Sequence, residues 1–284
     1  MNTGLHYGVP YAAYEAERAL RASALKLLDR SPAHYRAAPW SETPALRLGT
    51  AAHAAVLEPE RFEADFAVWD RKTESGRSAP RSGKAWDAFQ ADNAGKTFIT
   101  EAERAQAQAI AAAVRSDPTA MVYMASGRPE VTMLWDLHGR RCKARADWLT
   151  TVELETQPVV VGLKTTRDCR PGPFGVQAAR LGYHVQWAWY ADGFKAITGK
   201  TARMVEVVVE STRPYAVATY HITDEVLDAG RDVIARLTGI LDVCEQSGIW
   251  PGPVNGETDL ELPPWAYGES LEITDADETE NDHE

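Results

Sequence analysis

The run Val159-Val160-Val161-Gly162-Leu163-Lys164 constrains the fold of this chain more than any other stretch. β-Branched residues favour extended backbone, and Pro158 marks a boundary just before the run. Residues 140–148 form a second predicted strand shortly upstream, with Asp147 near its end. We therefore predict that Asp147 and Lys164 lie close together at one edge of a β-sheet.

Helical and strand patterns succeed one another along the rest of the chain. Helices are predicted at residues 46–57, 100–114, 173–195 and 224–248, and further strands at 130–135, 203–210 and 215–221. The order is helices, three strands, a helix, two strands and a helix. This order predicts an α/β fold in which a central mixed sheet, entered by an antiparallel meander, is flanked by helices.

The chain divides into three parts by composition. We expect a helical segment at residues 1–45 packed on the core, a main α/β domain at 46–250, and an acidic, largely disordered tail at 251–284. The net charge is −11, but no Lys or Arg follows Arg236, whereas 13 Asp and Glu do. The preceding residues therefore carry a formal charge of +2, which permits a groove that binds phosphate.

Two classes of protein are disfavoured by the sequence. No apolar run approaches the roughly 20 residues that span a bilayer, and the N-terminus lacks a signal-peptide pattern, so we expect a cytoplasmic protein without membrane contact. Cys142, Cys169 and Cys244 are far apart and form no CxxC pair. This spacing argues against a zinc site, a disulfide framework and an iron–sulfur nuclease of the CRISPR-associated kind.

Several polar residues occur at the ends of consecutive predicted elements. Mg²⁺ and similar hard cations take oxygen ligands, and a lysine near such a cation can orient a nucleophile or offset developing charge. Asp147 and Lys164 meet part of this requirement. Gln186 and Tyr190, one helical turn apart, and His53 on an earlier helix could complete a phosphodiester-cleaving site. Each residue alone also has an ordinary structural explanation, and only the combination favours a site.

Five segments in order carry a resemblance to a known family. The chain resembles the phage-type exonucleases of the PD-(D/E)XK superfamily, in particular those of the exodeoxyribonuclease VIII kind. The similarity extends over roughly residues 20–250 and rests on residues 25–35, 48–53 with 57–59, 143–148, 163–166, and 183–186 with Tyr190.

The resemblance implies a fold and an activity. The fold would have a restriction-endonuclease-like core within residues 46–250, and the activity would be resection of linear double-stranded DNA with Mg²⁺ or Mn²⁺. It also implies a ring-like homo-oligomer and a phage single-strand annealing protein as partner.

The resemblance also assigns roles to individual residues. His53, Asp147 and the backbone carbonyl of Leu163 would bind the metal, together with an acid at the position of Gly162. Lys164 would be the catalytic lysine. Gln186 and Tyr190 would line the scissile phosphate.

Gly162 departs from the family pattern, which has Asp or Glu two residues before the lysine, on the same strand face. One principal metal carboxylate is therefore missing. Three explanations are open: a degenerate site that only binds or assembles on DNA ends, a replaced residue in an otherwise active enzyme, or another acid in the same role. The candidates for that acid are Glu130, Glu153 and Asp168. If the position is simply empty, Gly162→Asp should raise activity by orders of magnitude.

Overall fold

The computed structural model describes residues 1–37, 44–77, 79–152 and 157–262. In chain order the elements are β1 (Gly4–His6), α1 (Tyr11–Ala16), α2 (Ala22–Arg30), α3 (Pro32–Ala37), α4 (Pro44–Leu57), α5 (Pro59–Asp65), β2 (Phe66–Trp69), α6 (Lys84–Asp92), β3 (Thr97–Thr100), α7 (Glu101–Ser116), α8 (Pro118–Met124), β4 (Arg128–Leu137), β5 (Arg140–Thr151), β6 (Pro158–Thr166), α9 (Pro171–Arg180), α10 (Tyr183–Thr198), β7 (Arg203–Glu210), β8 (Val217–His221) and α11 (Asp224–Ser247). Of the tail predicted at residues 251–284, residues 263–284 lie outside the described residues.

The central sheet has six strands in the order β1-β4-β5-β6-β7-β8. Strands β4, β5 and β6 form an antiparallel meander, β6 and β7 run parallel, and β7 and β8 form an antiparallel hairpin. The parallel pair requires a crossover, which α9 and α10 provide. The predicted α/β fold with a central mixed sheet is therefore confirmed. The sequence did not reveal β1 at the edge or the separate parallel pair β2–β3.

Helices cover both faces of the sheet, and each face has its own apolar core. One core lies beneath α2, α10 and α11, and the other beneath α4, α7 and α8. Strand β7 serves both cores, because Met204 and Val208 face the first while Val205, Val207 and Val209 face the second. Glu206 lies between Met204 and Val208 on the same face of the strand, so its carboxylate lies within the first core.

The predicted helix at residues 173–195 is in fact two helices, α9 and α10. They are separated at Leu181-Gly182, where Gly182 adopts the left-handed conformation that favours glycine. Leu181 lies at this break, and half of its surface is exposed. The break starts α10 at Tyr183 and thereby sets which of its side chains face the sheet.

Strands β5 and β6 are paired over only part of their length. Their register runs from Trp148 opposite Val161 to Thr151 opposite Pro158. Near the beginning of β5, the N-terminal segment lies alongside the strand instead: the amide of Leu20 donates to the carbonyl of Arg141 at 2.9 Å, and its carbonyl accepts from the amide of Lys143 at 2.8 Å. The two central strands thus separate on the N-terminal side of Trp148, and polar side chains can enter the gap.

Candidate active site

Asp147 lies where β5 leaves β6. Its Oδ2 accepts a hydrogen bond from the backbone amide of Leu163 at 2.8 Å, replacing the strand pairing that ends one residue away. Its Oδ1 is 3.8 Å from His53 Nδ1, and Oδ2 is 3.9 Å from Lys164 Nζ. The predicted proximity of Asp147 and Lys164 therefore holds in the structure, and α4 brings His53 to the same point.

Lys164 is a largely buried cation with two carboxylate neighbours. Its Nζ is 3.5 Å from Glu206 Oε1 and 3.9 Å from Asp147 Oδ2, and it lies over the ring of Tyr183 at 5.5 Å. Burial alone would lower the pKa of Lys164, but the charges of Glu206 and Asp147 outweigh it and raise the pKa above its ordinary value. The lysine is therefore held in its ammonium form.

Glu206 occupies the place that a side chain at position 162 would take. The two residues are directly opposite in the parallel pairing of β6 and β7. A Cβ built on Gly162 would lie 2.7 Å from both Cδ and Oε1 of Glu206, closer than real side chains approach. A side chain at position 162 would therefore have to displace the carboxylate of Glu206.

The carboxylate of Glu206 is deeply buried, with 1% of the residue exposed. The indole Nε1 of Trp187 donates a hydrogen bond to Oε2, whereas Oε1 accepts none within the described part of the chain and faces Lys164. Burial raises the pKa of Glu206, and the ammonium of Lys164 opposes that rise only in part. A buried carboxylate oxygen with unused lone pairs is an unusual element of a core.

A second carboxylate, Glu130, approaches Asp147 from β4. One ligand atom from each of His53, Glu130 and Asp147 lies within 4.8 Å of the others. Glu130 has a positive φ of 51° and accepts a hydrogen bond from Arg145. Burial raises the pKa of Glu130, followed by the charge of Asp147, while Arg145 opposes the rise. The structure therefore supports Glu130 as a site residue.

Gln186 and Tyr190 lie one turn apart on α10, on the side that faces the sheet. Gln186 Nε2 donates to the hydroxyl of Tyr190 at 3.1 Å. Burial raises the pKa of Tyr190, and the charge of Asp147 raises it further. A phenol kept neutral remains a hydrogen-bond donor, so this pair can present polar atoms close to Asp147.

The remaining predicted positions have mixed outcomes. The carbonyl of Leu163 accepts a weak hydrogen bond from Lys164 Nζ at 3.4 Å, so it does face the site lysine. Asp168 is instead paired with Arg170 at 2.6 Å, just before α9, and Arg170 lowers the pKa of Asp168. Glu153 lies outside the described residues.

Glu206 is the site residue that the sequence analysis missed. The strand at 203–210 was predicted correctly, and the acid within its valine run was passed over. A charged residue in the middle of a run buried on both faces was the available indication, because such a residue is rarely buried without a partner.

The donor set fits a hard divalent cation. Asp147 and Glu130 offer carboxylate oxygens and His53 offers one imidazole nitrogen, all within 4.8 Å of one another. Glu206 Oε1, 3.5 Å from Lys164 Nζ, is a buried acceptor without a hydrogen bond among the described residues. Oxygen ligands with one nitrogen suit Mg²⁺ or Mn²⁺, whereas zinc and copper are often bound by thiolates. The three cysteines are buried and reduced.

This fold and the pair of strands that separate at Asp147 define the class of PD-(D/E)XK-like proteins. Within that class, the chain belongs to the family described as PDDEXK-like domain of unknown function (DUF3799), whose model matches residues 22–260. No curated protein matches the sequence.

A solved structure shares this fold. The crystal structure of a protein called "Putative exonuclease" from Eubacterium rectale is 16% identical, covers 94% of this chain and 100% of its own, and has a TM-score of 0.57. Protein VC1899 from Vibrio cholerae is 14% identical over 81% of this chain and 52% of its own, with a TM-score of 0.23. At 16% identity, the likeness to the Eubacterium rectale protein concerns the fold alone. Among the described residues no helix has the length and apolar content needed to cross a membrane.

Proposed function

We propose that this protein is a divalent-metal-dependent DNA exonuclease that resects linear double-stranded DNA. The observation that carries the proposal is the position of Asp147 and Lys164 at the separation of β5 and β6, with His53 and Glu130 beside the same carboxylate. The exonuclease name of the Eubacterium rectale protein supports the same activity.

The residues of the site would divide the work of phosphodiester hydrolysis. Asp147, His53 and Glu130 would hold Mg²⁺ or Mn²⁺, which supplies Lewis-acid polarisation of a phosphoryl oxygen when bound. Lys164, kept as an ammonium, donates hydrogen bonds that orient the attacking water and offset negative charge on the phosphate. Gln186 and Tyr190 donate hydrogen bonds to non-bridging oxygens and so fix the phosphate next to Asp147.

The charge distribution is compatible with DNA as substrate. Residues before the acidic C-terminal part carry nearly balanced charge, so the net charge of this part does not oppose DNA binding. The oligomer and the single-strand annealing partner implied by the family resemblance stay predictions. Light scattering after gel filtration would measure the first.

Nuclease assays test the proposal directly. With Mg²⁺ or Mn²⁺, the protein should release nucleotides from linear duplex DNA and leave covalently closed circles intact. Asp147→Asn and Lys164→Met should each lower the rate by about 10²-fold or more, because each removes charge stabilisation at the phosphate. Lys195→Met, an exposed lysine on α10, serves as the matched control and should cleave normally.

Binding of DNA ends without cleavage would contradict the proposal. It would favour the second candidate, a catalytically silent DNA-end-binding protein, which the glycine at position 162 brings into consideration. Cleavage that survives Lys164→Met would refute the assignment of the site instead.

A further inference from the structure

We propose that Glu206 on β7 supplies the second metal carboxylate that position 162 on β6 lacks. The inference rests on the proposed metal-dependent function and names a ligand that the motif on β6 does not contain. The acid would thus have moved to the adjacent strand while its carboxylate stayed at the same point of the sheet face.

The register of the two strands makes this exchange possible. In the parallel pair, Gly162 and Glu206 are direct neighbours. An acid at position 162 would begin its side chain at a Cβ, and the carboxylate of Glu206 lies 2.7 Å from that point. The longer glutamate side chain therefore delivers its oxygens into the volume that an acid on β6 would fill.

The surroundings of Glu206 also indicate a ligand. Trp187 fixes Oε2 through its indole N–H, while Oε1 carries no hydrogen bond and faces Lys164 at 3.5 Å. Asp147 Oδ2 lies 3.9 Å from the same ammonium, so the two carboxylates share Lys164 as a neighbour. The only partner of Oε1 among the described residues is this ion pair, so a carboxylate that is 1% exposed keeps lone pairs for a further ligand.

The competing explanation is that Glu206 serves only as the buried counter-ion of Lys164. Glu130 is the other acid near Asp147, but it starts from β4 and is paired with Arg145, whereas Glu206 lies directly opposite Gly162. The two explanations differ in what they predict for metal affinity, which can be measured without DNA and without turnover.

Mn²⁺ binding, measured by calorimetry and by the electron paramagnetic resonance of free Mn²⁺, separates them. Glu206→Gln keeps the side-chain volume and the acceptor for Trp187, and should weaken Mn²⁺ binding at least tenfold. The exchange variant, which combines Gly162→Asp with Glu206→Val, should bind Mn²⁺ with a dissociation constant within about threefold of the wild-type value. If Glu206 is not a ligand, this variant gains one and should bind more tightly than wild type, which would overturn the proposal.

Removing the lysine excludes the counter-ion explanation. In the Lys164→Met background no ammonium needs Glu206, so a pure counter-ion could be changed to Gln without effect on Mn²⁺ affinity. We expect the tenfold loss to persist in Lys164→Met/Glu206→Gln, and unchanged affinity would refute the ligand role. Circular dichroism verifies that each variant is folded, and the exchange variant gives an independent answer if Glu206→Gln does not fold.

The same titrations distinguish two failures. Wild type that binds no Mn²⁺ would overturn the metal-dependent function and this inference with it. Binding that Asp147→Asn abolishes but Glu206→Gln leaves intact would overturn only the role of Glu206.

Discussion

The crowding between Gly162 and Glu206 predicts a large coupling energy between two residues on different strands. Adding a methyl group in Gly162→Ala would place a Cβ 2.7 Å from the carboxylate carbon of Glu206. The carboxylate cannot move to solvent, because Trp187 and Lys164 hold it in the core. Overpacking of this kind costs about 1–3 kcal/mol.

The sign should reverse once the carboxylate is gone. In a Glu206→Val background the space is open, and alanine is favoured over glycine in a strand by about 0.5–1 kcal/mol. The coupling energy of the double-mutant cycle should therefore be about 1.5–4 kcal/mol. Urea unfolding of the four proteins without added metal gives the four free energies. An equal effect of Gly162→Ala in both backgrounds would refute the described contact.

Two further predictions concern stability. Gly230→Ala should destabilise the protein by about 1–3 kcal/mol, because the added Cβ would lie 2.8 Å from the Cβ of Ala188, where α10 and α11 cross. Gly239→Ala, on the open side of α11, is the control and should be neutral or stabilise by up to about 1 kcal/mol. Thermal unfolding measures both, and similar melting temperatures would contradict the close crossing. Burial, and then the charge of Lys164, lowers the pKa of Lys26 to about 8, against an unfolded value of 10.5. The charged side chain therefore destabilises the native state fully below pH 8, and this penalty declines to nothing as the pH rises past 10.5. Lys26→Met should therefore raise the unfolding free energy at pH 7 by up to about 3 kcal/mol, with a gain that declines towards pH 10; a gain independent of pH would show that charge is not the cause.

Much of the fold could be predicted because each element has a local pattern that its environment does not override. Thr100 and Glu103 form a capping box at the start of α7, where the helix at residues 100–114 was predicted to begin. The stripe from Leu227 to Leu241 is the buried face of α11. The break at Gly182 was missed because a helical apolar pattern continues across it, and only the left-handed backbone reveals the end of α9.

The site was less accessible to sequence reasoning, for a physical reason. Asp147 and Lys164 follow from two consecutive predicted strands and His53 from the family resemblance, and the structure brings the three together. Glu206 does not, because its role depends on the register between β6 and β7, which a crossover connects. The Gly162→Asp substitution, expected from sequence to raise activity, now places a second acid against Glu206. We expect crowding and repulsion rather than gain from that single change.

The contact between Gly162 and Glu206 also limits how such a chain can change over generations. Gaining an acid on β6 first forces two carboxylates into one buried volume, and losing the acid on β7 first leaves Lys164 with Asp147 alone. Either intermediate is less fit if both metal binding and stability are selected. The two positions should therefore be inherited as a pair, and a lineage with glycine on β6 should rarely return to the more common arrangement by single steps.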